Sequence, residues 1–148
     1  MEIFTDEYFM KEALKQAKLA YDAGEVPVGA VVVWDNKIIA RGYNQVEQLK
    51  DSTAHAEIIA LTAAFNTLGS KYLPEGTLYV TVEPCLMCTG AMYWAKVRRV
   101  VYGAEDVKNG YRKTVAGNWP FHPKTELSNG VMAGECAQLM RDFFASRR

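Results

Sequence analysis

Apolar residues recur along this chain with two spacings, one typical of helices and the other typical of strands. Between residues 9 and 21 they recur every three to four positions, which predicts a helix capped by Thr5 and ended by Gly24. Residues 28–34 are β-branched and almost wholly apolar, as in a strand that is covered on both faces. A two-residue turn then leads into residues 37–43, so the two segments predict a β-hairpin.

The rest of the chain continues with helix and strand patterns in alternation. After a polar loop at 44–54, apolar residues on most faces predict a largely buried helix over 54–68. The later pattern predicts strands at 77–82, 97–102 and 126–127, a helix opened by Pro84 that runs to about residue 95, a loop with at most a short helix at 104–124, and a last helix at 133–145. This order predicts an α/β fold in which helices flank a mixed five-stranded sheet.

The composition is that of an ordinary globular domain with balanced charges. With 148 residues, 49% of them apolar, the chain is long enough for a single domain over residues 1–148 and too short for two. Seventeen basic and 17 acidic residues exclude a globally basic nucleic-acid binder but leave room for a local basic patch. The basic residues of the second half include Lys96, Arg98, Arg99, Lys108, Arg112, Lys113, Arg141, Arg147 and Arg148.

The sequence contains neither a membrane-spanning pattern nor a secretion signal. No apolar run approaches the ~20 residues that are needed to cross a bilayer. The first residues are acidic and lack the basic segment and apolar run of a signal peptide. We therefore expect a cytoplasmic protein that does not bind membranes.

Two short motifs indicate metal chemistry. His55 and Glu57 form a His-x-Glu motif, and Cys85 and Cys88 follow about 30 residues later in a Pro-Cys-x-x-Cys motif. One imidazole and two thiolates suit zinc, and three protein ligands leave its fourth position open, as in catalytic zinc sites. We predict that His55, Cys85 and Cys88 bind one Zn²⁺ ion at the converging N-termini of two helices, which favour thiolates. A redox-active cysteine pair is the alternative, but it does not account for His55 and Glu57.

Glu57 is suited to moving protons rather than to binding the metal. It follows His55 by two residues, about 200° around a regular helix, so the two side chains are poorly placed to bind the same metal ion. Zinc lowers the pKa of a bound water to ~7, and a nearby carboxylate can complete the deprotonation. Glu57 is therefore the predicted catalytic residue.

The two motifs resemble those of the zinc-dependent nucleobase deaminases, and the likeness extends along residues 5–146 to the bacterial tRNA-specific adenosine deaminases. The segments that carry it are 25–31, 53–58, 78–81, 83–92, 135–137 and 142–144. The resemblance implies a three-layer α-β-α, cytidine-deaminase-like fold with one zinc ion per subunit. It also implies a homodimer that binds the tRNA anticodon loop and hydrolytically deaminates adenosine to inosine at the wobble position.

The resemblance also implies roles for residues around the predicted zinc site. Asn44, Val28 and Ala56 are expected to hold the target nucleotide. Asp106 and Lys108 are expected to contact the anticodon loop. RNA contacts are further expected from basic and aromatic residues: Arg112, Lys113, Phe144 and Arg147.

Several of these residues also have a purely structural interpretation. Asn44 follows a predicted strand and is a candidate turn residue, whereas Asp106 is a candidate cap. Basic residues such as Lys108 are also typical of solvated loops. Cys136 is expected to be a small buried side chain, and the Tyr93–Trp94 pair is expected in the core or in a dimer contact.

Two alternative functions stay open. A deaminase of guanine, cytosine or a nucleoside would use the same metal site, and a non-catalytic zinc- and RNA-binding subunit would have no need of Glu57.

The sequence departs from the family pattern in two places. Residues 111–114 (Tyr-Arg-Lys-Thr) are bulky and basic where the family commonly has small residues. Ser52 stands where a proline is usual. Both departures lie on the expected RNA side.

Overall fold

The computed structural model describes residues 4–147, so residues 1–3 of the acidic start and the basic residue Arg148 lie outside the described residues. Within residues 4–147 the helices are α1 (Asp6–Asp22), α2 (Val46–Leu49), α3 (Ala56–Leu68), α4 (Leu86–Ala95), α5 (Tyr111–Val115) and α6 (Ala133–Ala145). The strands are β1 (Gly29–Trp34), β2 (Lys37–Tyr43), β3 (Thr77–Val82), β4 (Arg99–Ala104) and β5 (Glu126–Asn129). None of these helices is both long enough and apolar enough to cross a membrane.

The strands form one mixed sheet in the order β2-β1-β3-β4-β5. β1 is antiparallel to β2 and β3, whereas β3, β4 and β5 run parallel. The turn between β1 and β2 places Asp35 and Asn36 at φ 53° and 60°, which Asn and Asp tolerate better than most residues. The carboxyl ends of β3 and β4 lie at the same edge of the sheet, which is where α/β proteins commonly place their ligands.

Helices cover both faces of the sheet, and the sheet divides the core into two halves. α3 and α4 pack on one face, and α1 and α6 pack on the other. The alternation along β1 separates the halves: Ala30 and Val32 pack on the α3 side, whereas Val31 and Val33 pack on the α1 side. β1 is buried except at Trp34, as its apolar sequence predicts. The predicted three-layer α/β fold with a mixed five-stranded sheet is confirmed.

Two helices begin later than predicted because the residues before them are extended. The helix predicted over 54–68 begins at Ala56, since His55 has an extended backbone with φ −75° and ψ 153°. The helix predicted to open at Pro84 begins at Leu86, since Cys85 has φ −77° and ψ 171°. The first metal ligand of each motif, His55 or Cys85, therefore lies one residue before a helix, at the N-cap position.

Two further predictions needed correction. The strand predicted over 97–102 lies two residues later, because Lys96 adopts a left-handed conformation (φ 56°) and the N–H of Val97 donates to the carbonyl of Met92. Val97 thus closes a turn instead of pairing in the sheet. The polar loop predicted at 44–54 contains the one-turn helix α2.

Other boundaries agree with the sequence. Thr5 caps α1, since its hydroxyl oxygen accepts a hydrogen bond from the N–H of Tyr8 at 3.1 Å. The short helix expected within 104–124 is α5, and the strand predicted near 126–127 extends to Asn129.

Candidate metal centre and substrate cleft

The structure brings the three predicted metal ligands together at the carboxyl edge of the sheet. His55 precedes α3 and Cys85 precedes α4, so the N-termini of these two helices meet there. The Nδ1 atom of His55 lies 3.6 Å from the sulfur of Cys85 and 3.5 Å from that of Cys88. All three donor atoms lie within 4.8 Å of one another.

This geometry fits zinc. A tetrahedral ion with Zn–S bonds of about 2.3 Å and a Zn–N bond of about 2.0 Å holds nitrogen and sulfur about 3.5 Å apart. The distances from His55 to the two cysteine sulfurs agree with that spacing. Within residues 4–147, this is the one group of three or more His, Cys, Asp or Glu residues with metal-ligand spacing. The cluster therefore supplies three ligands and leaves the fourth corner to water or substrate.

The cysteine pair and His55 shift one another's pKa values through hydrogen-bonding contacts. Hydrogen bonding from Cys88 and from His55 lowers the pKa of the Cys85 thiol to about 4. The hydrogen bond to Cys85 and burial raise the pKa of Cys88, and the hydrogen bond to Cys85 also raises the pKa of His55. A bound cation would displace these protons, because zinc binds thiolate sulfur and neutral imidazole.

Glu57 lies in the first turn of α3, beside the metal ligands but outside the group whose atoms can share one ion. Its side chain is buried, with 4% of the residue exposed, and it lines the cleft. Burial raises the pKa of its carboxyl to about 7. A carboxyl group with this pKa can both take up and release a proton near neutral pH.

A cleft of about 1560 Å³ opens beside this centre. Most residues that the sequence predicts for nucleotide and RNA binding line it: Val28, Asn44, Asp106, Lys108, Lys113, Phe144 and Arg147. Ala56 and Arg112 do not line the cleft. Ala56 is fully buried and donates its N–H to the Oδ1 atom of Asn44 at 2.8 Å. Asn44 thereby satisfies a free N–H at the start of α3 and leaves its amide nitrogen as a donor.

The family model for the cytidine and deoxycytidylate deaminase zinc-binding region matches residues 4–104, which include the whole metal centre. The chain belongs to this deaminase family. The resemblance and the zinc cofactor that the sequence predicts are thereby confirmed, with His55, Cys85 and Cys88 as the metal cluster.

Within the deaminase family, the chain is similar to proteins named for tRNA. A tRNA-specific adenosine deaminase of Bacillus subtilis is 43% identical over 97% of this chain and 91% of its own length. The chloroplastic tRNA(adenine(34)) deaminase of Arabidopsis thaliana is 47% identical over 96% of this chain, but the chain spans only 12% of that protein. A solved structure from a study of A-to-I editing by tRNA:A34 deaminases aligns with a TM-score of 0.83 and 40% identity, covering 89% of this chain and 98% of that one.

The deaminase cleft is bordered on one side by the segment 105–112, which follows β4. Asp106 has the structural role that the sequence left open, since its Oδ1 atom accepts hydrogen bonds from the N–H groups of Lys108 and Asn109. Lys108 is exposed. Arg112 forms an ion pair with Glu83 at 2.9 Å and with Glu105 at 3.3 Å.

Residues of the C-terminal helix α6 also line the deaminase cleft. Of its two adjacent aromatic residues, Phe143 is buried and Phe144 is 46% exposed. The guanidinium of Arg147 lies 4.5 Å from the centre of the Phe143 ring. Cys136 on the same helix is buried, as predicted.

Sequence reasoning missed two buried carboxylates at the cleft. Glu25 is 1% exposed and accepts hydrogen bonds from the N–H groups of Glu47 and Gln48, at the start of α2. Glu83, 4% exposed, accepts hydrogen bonds from the segment 105–112. The available signal was position, because Glu25 and Glu83 are the first residues of two segments that carry the family resemblance, 25–31 and 83–92.

Proposed function

We propose that this chain catalyses the hydrolytic deamination of adenosine to inosine at the wobble position of a tRNA anticodon. The observation that carries the proposal is the buried Glu57 beside a three-ligand metal cluster that opens into a large cleft. The names of the related proteins support the nucleic-acid substrate. The net reaction consumes one water molecule and releases ammonia.

Within this reaction the proposed role of Glu57 is to move two protons. A zinc ion held by His55, Cys85 and Cys88 would supply Lewis-acid chemistry, which makes a water molecule a better nucleophile toward C6 of adenine. Glu57 takes the proton released by the attacking water and delivers it to the adjacent ring nitrogen. It then carries a second proton to the amino group, which leaves as ammonia. Burial raises the pKa of the Glu57 carboxyl toward the ambient pH, near which general acid–base groups work best.

The wall of the cleft next to Glu57 is suited to holding a flat base. Val28 is 8% exposed and offers an apolar surface there. Asn44 is held by its hydrogen bond to Ala56, so its orientation is set before a substrate arrives. We propose that Val28 packs on the target base and that the amide nitrogen of Asn44 donates to its sugar. In this scheme Ala56 contributes by holding Asn44.

The rim of the cleft is suited to an RNA loop. Lys108, Lys113, Phe144 and Arg147 are exposed and line the cleft. Lysine and arginine pair with phosphates, and an exposed aromatic ring can stack on an unpaired base. Loop nucleotides are easier to turn out than paired ones, which favours an anticodon loop over a duplex.

We also propose that the chain works as a homodimer. Tyr93 and Trp94 on α4 are 39% and 74% exposed, so they are not core residues within the described chain. Leu86 and Met87, at the start of the same helix, are 45% and 39% exposed. An apolar surface of this kind is typical of protein–protein contacts, and it adjoins the metal centre. A native mass measurement at micromolar concentration tests this, since a monomer would contradict it.

Two further proposals concern domain organisation and location. One sheet, covered by helices on both faces, supports a single deaminase domain over residues 1–148. A tRNA substrate supports the cytoplasmic location predicted from the sequence.

The decisive experiment measures inosine in a synthetic anticodon stem-loop with adenosine at the wobble position, after incubation with zinc-loaded protein. We expect inosine at that position and none elsewhere in the loop. Free guanine, cytosine and adenosine, assayed for ammonia, test the small-molecule alternative. Glu57→Ala serves as the matched control, since it should retain zinc and RNA binding while losing turnover. Ammonia from a free base with no inosine in the RNA would overturn the proposal.

A further inference from the structure

The carboxylate of Glu83 joins the metal-binding turn to the segment 105–112. Its Oε1 atom accepts hydrogen bonds from the N–H of Asp106 at 3.1 Å and from the Nη2 atom of Arg112 at 2.9 Å. Its Oε2 atom accepts a third hydrogen bond from the N–H of Arg112 at 3.1 Å. Glu83 is buried and lies two residues before the ligand Cys85. One carboxylate therefore holds both ends of a segment that lacks regular structure over most of its length.

Two further contacts strengthen this connection. The N–H of Tyr111 donates to the carbonyl of Pro84 at 2.9 Å. Gly110 packs against the Glu83 carboxylate so closely that a Cβ atom there would collide with it. The φ of Gly110 is −66°, which any residue can adopt, so glycine is needed here for the close approach and not for the backbone conformation.

The segment held in this way carries the residues at the cleft rim. Asp106 and Lys108 both line the cleft. The turn that presents Lys108 is closed by the Asp106 carboxylate, which accepts the Lys108 N–H at 3.1 Å. The position of Lys108 relative to the metal centre thus depends on where Glu83 holds Asp106.

We propose that Glu83 and Arg112 are positioning residues for the RNA substrate, holding the segment 105–112 at the cleft in the free protein. The inference rests on the proposed function for its substrate. It assigns Arg112 a role within the protein, in place of the RNA contact expected from the sequence.

The test compares Arg112→Ala, Glu83→Gln and the double variant, using the zinc-loaded protein and the anticodon stem-loop. For Arg112→Ala we expect KM for the RNA to rise about tenfold while kcat changes less, because hydrogen bonds to charged groups are lost before the substrate binds. The double variant should be no worse than Glu83→Gln alone, since both changes break one connection. Hydrogen exchange in the RNA-free variants should be faster at the backbone amides of residues 106 and 112 than in the unaltered protein.

Salt dependence separates a positioning role from a direct phosphate contact. If Arg112 acts within the protein, Arg112→Ala leaves the slope of log affinity against log salt unchanged. A slope reduced by about one, with unchanged hydrogen exchange, would show a phosphate contact and overturn the inference. Additive effects of the two single variants would also overturn it. Lys37→Ala, at the opposite edge of the sheet, removes the same charge as a control.

Gly110→Ala provides a second route to the same answer if Glu83→Gln fails to fold. It leaves both charged groups in place and pushes the segment 105–112 away from Glu83. We expect the same rise in KM and the same faster exchange, and unchanged values would contradict the inference. If the unaltered protein makes no inosine, the proposed function fails, whereas hydrogen exchange still decides whether the ion pair holds the segment.

Discussion

The two ends of the sheet each carry a carboxylate–arginine pair, and the pairs hold different kinds of structure. At the starting edge of β3 and β4, Arg99 donates two hydrogen bonds of 2.7 Å to Asp6, at the first residue of α1. Tyr79 and Ser128 complete this group, which connects α1 with three strands. At the carboxyl edge, Glu83 and Arg112 connect the end of a strand to an irregular segment beside the metal centre.

The comparison shows that position in the fold, and not the chemistry of the pair, decides what an ion pair contributes. In both pairs hydrogen bonding from arginine keeps the carboxylate ionised. For Asp6, the hydrogen bond from Arg99 lowers the pKa of the carboxyl. For Glu83, burial by itself would raise the pKa, but the hydrogen bonds from Arg112 and Asp106 lower it. The first pair joins elements that are already regular, so we expect it to affect stability. The second pair holds part of the cleft, so we expect it to affect substrate binding.

The largest expected effect is at the carboxyl edge, in Glu57→Gln. Glutamine is close to glutamate in size but cannot exchange protons, so kcat should fall by about 10²–10⁴-fold. Inosine formation at saturating anticodon stem-loop measures the change. Zinc content and the melting temperature should stay close to those of the unaltered protein, because Glu57 is not among the metal ligands. Turnover within a factor of two of the unaltered enzyme would remove Glu57 from the mechanism.

Removal of zinc tests whether the carboxyl edge also contributes to stability. At a free zinc concentration of 100 times Kd, binding stabilises the folded state by about 2.7 kcal/mol. A chelator should therefore lower the melting temperature by about 5–10 °C for a domain of this size, and added zinc should restore it. Cys88→Ser should bind less than one zinc ion per chain and show little response to the chelator. A full zinc equivalent in that variant would contradict the assignment of Cys88 as a ligand.

The metal centre could be predicted because its information is local in the sequence. His55 and Glu57 lie two residues apart, as parts of one motif, and Cys85 and Cys88 lie one helical turn apart. Each motif begins at a helix, so the pattern of apolar residues also places it in the fold. Four strands and the main helices were predictable for the same reason, since each has a local signature: apolar, β-branched runs in the strands, and apolar residues at helical spacing or on most faces in the helices.

The Glu83–Arg112 pair could not be predicted, because nothing local connects residues 29 positions apart. The bulky, basic sequence of residues 111–114, together with the family resemblance, instead suggested RNA contact for Arg112. The need for a glycine at residue 110 is a matter of tertiary contact, which the sequence does not express. The two-residue shift of β4 has a similar origin. Val97 is β-branched, as is typical of strands, but it belongs to the turn at Lys96, where its N–H donates to the carbonyl of Met92 in α4.

The starting edge should respond to mutation mainly in stability. Asp6→Asn should lower the free energy of unfolding by about 1–2 kcal/mol, since the pair with Arg99 is only partly buried. The folded-state pKa of Asp6 lies below its ordinary value of 3.8, so its contribution is fully present well above that pH and is lost as the pH falls through the folded-state pKa. Urea titrations measure the free energy of unfolding of Asp6→Asn and of the unaltered protein. The difference between these two free energies should be constant from about pH 5 to 8 and should shrink below about pH 4.

The kinetic parameters of Asp6→Asn provide the control for the comparison between the Asp6–Arg99 pair and the Glu83–Arg112 pair. Asp6 lies at the opposite edge of the sheet from the metal centre, so kcat and KM for the anticodon stem-loop should be unchanged at neutral pH. A tenfold rise in KM would mean that the two ends of the sheet are coupled. The contrast between a stabilising pair and a positioning pair would then be wrong.

The smallest expected effect is at Lys113, which neighbours Arg112 and is exposed at the cleft. If Lys113 pairs with a phosphate, Lys113→Ala weakens RNA binding a few-fold at moderate salt. It also reduces the slope of log affinity against log salt by about one, because one counterion fewer is released. Filter binding of the anticodon stem-loop at several salt concentrations measures both quantities, with Lys37→Ala as the charge-matched control. The expected contrast is with Arg112→Ala, whose slope should not change, because its guanidinium is already paired with Glu83. Equal slopes for the two variants would mean that adjacent basic residues share one role, and the distinction between holding the segment and contacting RNA would not stand.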